Sequence, residues 1–270
     1  MLRRVFLNTY LRAEAEAREQ RLPGRFQGVD LKVISVCIIV ALSLTMINYV
    51  GELVYVLDAL DRLGPAGADE RLWSGLTNFS NERLAGPIWW ACVTVVFYFV
   101  VPALFIRLAL KEPLSDYGLK LRGAFKDYGL YLLMFVVMFP VVLLVSGAAG
   151  FQAKYPFYQM ARGESLLPYF WQWEVFYFLQ FFALEFFFRG FMLHGLKHRF
   201  GYYAVFVMTM PYCMIHFRKP FLEALAAIIA GVILGTLSLK SRSILPGVAI
   251  HYSIAIVMDL AALWRKNLLW

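Results

Sequence analysis

The stretch of sequence that decides the fold lies at residues 171–193 and reads WQWEVFYFLQFFALEFFFRGFML. Its length and apolar composition predict a helix that crosses a membrane. Within it, Glu185 and Arg189 are four residues apart, which puts both side chains on one helix face in the better order for an ion pair. Because charges are rarely kept inside a bilayer without a partner and a purpose, the pair indicates a functional site. A purely structural ion pair between two helices is the alternative.

The composition of the chain is that of a membrane protein. Of its 270 residues, 61% are hydrophobic and 16% are charged, whereas soluble domains carry about 45–50% apolar and about 25% charged residues. The net charge of +8 fits basic cytoplasmic loops that face anionic lipid. We therefore expect membrane lipid, and no nucleic acid, as a partner.

Seven apolar segments are candidates for membrane spans, namely residues 33–57, 88–108, 129–149, 171–193, 204–215, 221–239 and 244–264. They predict an all-α fold, a polytopic transmembrane helical bundle of about seven spans. The arginine-rich residues that precede them predict an N-terminal amphipathic segment on the membrane surface. Lys and Arg are more frequent in the loops on the side of the N-terminus, which predicts that this side is cytoplasmic. We expect a multi-pass protein of the cell membrane, inner or plasma.

A second polar group interrupts the apolar pattern at residues 211–220, which read PYCMIHFRKP. Tyr212 and His216 are four residues apart and therefore share a helix face at the end of a short span. A histidine at a membrane edge is more often a capping residue than a catalyst. Glu223 follows seven residues after His216 and would return to the same face if the helix were unbroken. Alternatively, Glu223 is an acidic first-turn residue of the next helix, a position that the helix dipole favours.

A third polar group lies in the last span. Pro246 suits the start of a helix, so His251 falls one to two turns inside it. We expect His251 to point into the bundle or into a wet cavity, because lipid would reject it. Asp259 lies two turns further along, and we expect it to be solvated near the far interface.

These residues together suggest a hydrolase. A carboxylate in an apolar site can take a proton from water, and a neutral imidazole can share that water or donate to an oxyanion. An arginine can hold the carboxylate in place. Two histidines and a carboxylate also make a catalytic zinc set, but the HExxH pair is absent, so we predict no metal and no cofactor. No GxSxG motif occurs, and Ser238 and Ser253 look incidental.

The three groups resemble the motifs of the CPBP family, which includes type II CAAX prenyl endopeptidases and bacterial bacteriocin-processing (Abi) proteins. The family motifs are EExxxR, FxxxH, and HxxxN or HxxxB. Glu185 and Arg189 resemble the second Glu and the Arg of the first motif. Tyr212 and His216 resemble the second motif, with Tyr in place of Phe, and His251 resembles the third. The order and the spacing agree with the family.

The resemblance implies a glutamic-type intramembrane endopeptidase, in which a first-motif Glu and the second-motif His activate water and the third motif forms an oxyanion hole. This chain departs from the pattern at two positions. Leu184 replaces the first Glu, the usual general base, and Ala255 replaces the polar residue four positions after His251. We therefore expect Glu185 to serve as the base, or Glu223 to supply a second carboxylate.

The resemblance covers roughly residues 110–265 and includes DYGL at 116–119, which resembles a common upstream family element. It divides the chain into a cytoplasmic or interfacial N-terminal segment, 1–30, N-terminal transmembrane helices, 31–110, and a CPBP-like catalytic membrane domain, 111–268. The expected partner is a protein or peptide substrate that is cut at the membrane.

Two other functions fit parts of the pattern. The departures at Leu184 and Ala255 favour a catalytically inactive relative that binds a peptide or a partner protein in immunity or assembly. Intramembrane Glu and His also mark ion paths, which would suit a small transporter or proton relay. Against the transporter, the sequence shows no inverted repeat and no paired broken helices.

Overall fold

The computed structural model describes residues 2–20 and 29–269. Over these residues the chain is helical and contains no β-strand, as the sequence predicts. The α-helices are α1 (Leu2–Gln20), α2 (Leu31–Val50), α3 (Leu53–Leu63), α4 (Ala68–Phe79), α5 (Glu82–Val95), α6 (Val101–Leu104), α7 (Tyr128–Val145), α8 (Ala149–Lys154), α9 (Tyr169–Glu185), α10 (Leu193–Phe200), α11 (Ala204–Met214), α12 (Phe221–Ser241) and α13 (Leu245–Arg265). The predicted N-terminal segment is helical as α1, and its residues 21–28 lie outside the described residues.

Shorter turns of other helix types join some of these helices. The π-helical turns are Val96–Val100, Phe105–Leu110 and Phe186–Met192, and the 3₁₀ turns are Leu114–Tyr117, Ala124–Asp127 and Gly201–Tyr203. A π-helical turn inside an α-helix frequently accompanies a functional site. The turn Phe186–Met192 directly follows Glu185 and contains Arg189.

Six helical stretches in the described residues are long and apolar enough to cross a membrane, namely Leu31–Val50, Glu82–Leu110, Ala124–Val145, Tyr169–Met214, Phe221–Ser241 and Leu245–Arg265. They agree with a polytopic helical fold of about seven spans. The fourth and fifth predicted spans both fall in Tyr169–Met214. In an 18-residue apolar window of this stretch 72% of the residues are buried, against 17% in the window of Leu31–Val50.

The stretch Tyr169–Met214 is interrupted at Gly201. This residue has a φ of +56° and ends α10, a conformation that glycine adopts without a Cβ clash. After the break, α11 has 11 residues. At 1.5 Å per residue such a helix is about 16 Å long, roughly half of the hydrocarbon thickness of a bilayer. His216, just beyond α11, therefore follows a helix that is too short to cross a bilayer.

The described residues divide into two compact units. Unit 1 contains residues 2–20, 29–41, 100–131 and 184–249, and unit 2 contains residues 42–99, 132–183 and 250–269. Each unit gathers segments that are distant in sequence. The predicted division of the chain near residues 30 and 110 stays a prediction.

The core of unit 1 is the π-helical turn Phe186–Met192, whose seven residues are all buried. Tyr117 stacks on Phe191 with ring centroids 6.5 Å apart. A Cβ on Gly190 would lie 2.6 Å from the Tyr117 carbonyl oxygen, so only glycine permits this close backbone approach. The DYGL element thus packs directly against the turn that carries Arg189.

The core of unit 2 is aromatic. Trp173 stacks between Phe157 and Tyr177, with ring centroids 5.0 and 4.8 Å away, and Tyr177 in turn contacts Phe181 at 4.6 Å. Such pairs stabilise a core beyond the area that they bury. Trp173, Tyr177 and Phe181 are spaced by four residues on α9, which places them along one helix face.

We expect the variant Gly190→Ala to destabilise the protein by about 1–3 kcal/mol, because its methyl group would meet a backbone oxygen that cannot move aside alone. The measurement is the midpoint of thermal unfolding in detergent. Gly129→Ala is the matched control, since no atom lies within 4 Å of a Cβ at this helical position. A wild-type midpoint for Gly190→Ala would contradict the close packing of Tyr117 on the turn.

Candidate active site

The ion pair that the sequence predicts is present and fully buried. Nη1 of Arg189 donates to Oε1 of Glu185 at 3.0 Å, and the side chains are 1% and 0% exposed. Glu185 is the last residue of α9 and Arg189 lies in the π-helical turn that follows. Burying two charges costs more than their attraction returns unless further contacts satisfy them. The neighbours of the pair therefore decide whether it is stable.

The first neighbour is Tyr212, on α11. The guanidinium carbon of Arg189 lies 3.8 Å from the centroid of the Tyr212 ring, a cation–π contact of the kind that arginine makes best over an aromatic face. The ring is 1% exposed and contacts Phe188 edge-on, with centroids 5.3 Å apart. Tyr212 thus stacks on the guanidinium of Arg189. The position of Tyr212 in the second motif does not by itself predict this contact.

The second neighbour is the start of α13. Oε2 of Glu185 lies 2.8 Å from the point that a Cβ on Gly247 would occupy, so the carboxylate reaches the first turn of this helix only because residue 247 has no side chain. The N-terminus of a helix favours a negative charge. The sequence did not single out Gly247. The indication it offered for the approach of Glu185 was the Pro246–Gly247 pair at the start of the last span.

His216 adjoins Tyr212. The two rings have centroids 4.8 Å apart, and Nδ1 of His216 lies 2.8 Å from the Tyr212 carbonyl oxygen. Because a carbonyl oxygen only accepts hydrogen bonds, Nδ1 carries the proton, and Nε2 of the neutral ring is then a proton acceptor. The contacts run from Glu185 through Arg189 and Tyr212 to His216 within unit 1.

Glu223 lies in the first turn of α12, where it pairs with Lys219 at 3.2 Å and is 22% exposed. Since α11 ends at Met214 and α12 begins at Phe221, the unbroken helix that would return Glu223 to the face of His216 is not formed. The first-turn position is the one that the alternative interpretation expects. A catalytic role for Glu223 stays a prediction.

His251 lies in α13, as predicted, and belongs to unit 2. Its ring packs on Phe181 with centroids 4.5 Å apart. Ala255, one turn further, is 5% exposed and lies in the aromatic core of the unit. The participation of His251 in the site of Glu185 stays a prediction.

The sequence did not single out His194 and treated Ser238 as incidental. His194 is 4% exposed, and its Nε2 lies 3.2 Å from Oγ of Ser238, which donates to the Arg189 carbonyl oxygen at 3.1 Å. Because the single hydroxyl proton goes to the carbonyl, the Nε2–H of His194 is the donor to Ser238. Ser238 and His194 thus hold the backbone of the turn that presents Arg189. In the sequence, the only indication of this support for the turn was a His and a Ser within two apolar helices.

The expectation that Asp259 is solvated is wrong. Asp259 is 0% exposed, and its Oδ1 accepts a hydrogen bond from the Phe157 backbone N–H at 2.9 Å. Its carboxyl group also lies within hydrogen-bonding distance of Glu174, which the sequence did not single out. Glu174 is 1% exposed and accepts a hydrogen bond from the Tyr252 hydroxyl at 3.2 Å. These polar groups belong to the interior of unit 2.

No group of three His, Cys, Asp or Glu side chains that could hold a metal ion occurs in residues 2–20 and 29–269. The cluster of unit 1 contains a carboxylate, a guanidinium, a phenol and an imidazole. A carboxylate and an imidazole can move a proton, and a guanidinium can orient the carboxylate.

Comparison with known proteins identifies this segment. Residues 166–257 match the family model described as Type II CAAX prenyl endopeptidase Rce1-like. The matched segment belongs to the CPBP family of intramembrane proteases. It covers about a third of the chain and contains Glu185, Arg189, Tyr212, His216 and His251. No curated protein and no solved structure matches the chain.

The apolar helical stretches make the chain a multi-pass membrane protein, and its residues 166–257 are similar to CAAX-type proteases. Its expected partner, a protein or peptide substrate at a membrane, follows from the family. The departure at Leu184 lies inside the matched segment, and the Leu184 side chain is 5% exposed.

We expect Arg189→Met to destabilise the protein by about 3–5 kcal/mol, because the Glu185 carboxyl group would stay buried without its ion-pair partner. The double variant Glu185→Met, Arg189→Met should recover part of this loss. Unfolding in detergent, followed by tryptophan fluorescence, measures both. Arg62→Met is the matched control, since Arg62 pairs with Asp58 at the same spacing but is 70% exposed, and it should change stability by about 0–1 kcal/mol. Additive effects of the two buried substitutions would contradict the pairing.

Proposed function

We propose that the chain is an intramembrane endopeptidase that hydrolyses a peptide bond with a water activated by Glu185 and His216. The observation that carries the proposal is the series of contacts from the buried Glu185, Arg189 and Tyr212 to the partly buried His216. The match of residues 166–257 to CAAX-type proteases supports the same assignment. The protein would act in the cell membrane on a protein or peptide.

Glu185 is the proposed general base. Its carboxylate takes a proton from water as the water oxygen attacks the scissile carbonyl carbon, and the C–N bond then breaks as the amine leaves with a proton. Arg189 fixes the carboxylate through the 3.0 Å hydrogen bond and is in turn fixed by the Tyr212 ring. Since general acid–base catalysis depends on the position of the proton acceptor, this support is part of the mechanism.

His216 is the proposed second proton carrier. Its Nδ1 is oriented by the Tyr212 carbonyl oxygen, and its Nε2 is the proposed atom that shares the water or returns the proton to the leaving amine. His251 is the proposed donor to the developing oxyanion, on the basis of its position in the third motif. A donor placed where negative charge develops contributes strongly to catalysis.

A specific observation favours a second candidate function. The position at which the resemblance implies the usual general base holds Leu184, a buried apolar residue. If one carboxylate is not enough, the chain is a catalytically inactive relative that binds a peptide or a partner protein. Binding of a peptide without turnover would identify that function.

We expect Glu185→Gln to lower peptide cleavage by about 100-fold or more, because the amide keeps the size of the side chain but cannot accept a proton. The measurement is the cleavage of a fluorogenic peptide panel, farnesylated CAAX peptides included, by the full chain in vesicles. Glu223→Gln tests whether Glu223 supplies a second carboxylate. A similar loss of cleavage in this variant would mean that both carboxylates take part in catalysis. Unchanged cleavage in both variants would contradict a glutamate-dependent mechanism.

We expect Gly247→Ala to lower kcat by about 10- to 100-fold with little change in KM, because the new Cβ would displace the Glu185 carboxylate. The same peptide assay measures both constants. Gly150→Ala is the control, since nothing lies within 4 Å of a Cβ at that position, and it should retain the wild-type rate. A wild-type rate for Gly247→Ala would remove Glu185 from the proposed mechanism.

A further inference from the structure

Unit 1 contains a cavity that is separate from the Glu185 cluster. It has a volume of about 180 Å³ and lies between α1 and the ends of α10 and α12. A single water needs only about 10–15 Å³ of such space, so the cavity has room for a larger polar group. Its charged lining residues are Arg12, Glu16, Lys197, His198 and Lys240.

The wall that α1 contributes is held in place by specific contacts. Oε1 of Glu14 accepts a hydrogen bond from the Tyr202 backbone N–H at 3.1 Å, and Tyr10 packs edge-on against the Tyr202 ring at 5.7 Å. Thr9 and Ala17, which line the cavity, are 5% and 0% exposed. Helix α1 thus packs against the rest of unit 1, and the cavity is a result of this packing.

Positive charge exceeds negative charge around this cavity. Glu16 is the one carboxylate among the described residues that line it, and it pairs with two guanidinium groups, Arg12 at 2.9 Å and Arg242 at 2.6 Å. Partial burial by itself would raise the pKa of Glu16, but the hydrogen bond from Arg12 and the charges of Arg242 and Lys197 lower it below its usual value. Glu16 therefore stays ionised and still leaves cations in excess.

Among the described residues that line the cavity, Lys197 is the cation that forms no ion pair. Lys240 pairs with Asp127 at 2.6 Å and His198 with Asp30 at 2.7 Å, whereas in the described part of the chain no carboxylate forms an ion pair with Lys197. The sequence of residues 21–28, RLPGRFQG, contains no Asp or Glu. Lys197 acts on Glu16 through its charge without forming an ion pair with it. An ammonium group placed in this way at a cavity is suited to an anionic ligand.

We propose that this cavity binds the phosphate group of an anionic ligand, with Lys197 and Arg12 as its principal contacts. A guanidinium matches two phosphate oxygens at once, and an ammonium adds a point charge. Lys240 lies one residue before the end of α12, itself one of the membrane-spanning stretches. Basic pockets at such helix ends are placed at the depth of lipid headgroups, so an anionic phospholipid is the expected source, and free phosphate is the other source.

The test uses the purified full chain in detergent and measures binding by native mass spectrometry and by the shift of the thermal midpoint. The probes are phosphatidylglycerol, phosphatidylcholine and inorganic phosphate. Lys197→Gln removes the unpaired charge. Arg199→Gln is the matched control, because Arg199 is an exposed cation two residues away that does not line the cavity. Arg12→Gln tests the opposite wall.

We expect phosphatidylglycerol to bind more tightly than phosphatidylcholine and Lys197→Gln to weaken its binding roughly five- to tenfold, with Arg199→Gln close to wild type. Arg12→Gln should weaken the binding of phosphatidylglycerol as Lys197→Gln does. With two such variants, the test stays decisive if one of them fails to fold. Saturation by inorganic phosphate, with the same dependence on Lys197, would support the site and assign it to a soluble ligand. Equal weakening by Lys197→Gln and Arg199→Gln, or no preference for phosphatidylglycerol together with no phosphate binding, would overturn the proposal.

Discussion

The buried ion pair between Glu185 and Arg189 is the interaction on which the proposed site depends. Two charges are withdrawn from water inside an aromatic helix, and their mutual attraction alone does not compensate for the lost hydration. Two neighbouring groups lie close to these charges. The Tyr212 ring covers the guanidinium, and the start of α13 comes close to the carboxylate at Gly247. The contact with His216 follows, because the ring that covers Arg189 is also the ring that His216 packs on.

The backbone around the pair is as specialised as its side chains. A π-helical turn presents Arg189, and its carbonyl oxygen accepts the hydroxyl of Ser238, which His194 orients. Gly190 lets the backbone of Tyr117 approach the same turn. At the π-helical turn, the close approach at Gly190 and the hydrogen bond from Ser238 thus take the place of regular helix packing. A strained or irregular turn persists only where the surroundings hold it in this way.

Buried carboxyl groups in this protein do not all point to catalysis. Glu174 and Asp259 are as deeply buried as Glu185, but their partners are a backbone N–H and a tyrosine hydroxyl in an aromatic core. The difference between the two groups is in the partners, because a carboxylate becomes a useful base only when neighbouring groups orient it toward a substrate position.

Composition and helical spacing were sufficient for the all-helical membrane fold and for the local pairs, Glu185 with Arg189 and Tyr212 with His216, because both properties are decided within a few turns of one helix. The three motifs, in their order along the chain, were sufficient to predict the family resemblance. Tertiary structure decided everything that joins distant segments: the stacking of Arg189 on Tyr212, the burial of Asp259 and the docking of α1 over a basic cavity. Spacing along a helix predicts which face a residue occupies, but the packing of the helices decides what that face meets.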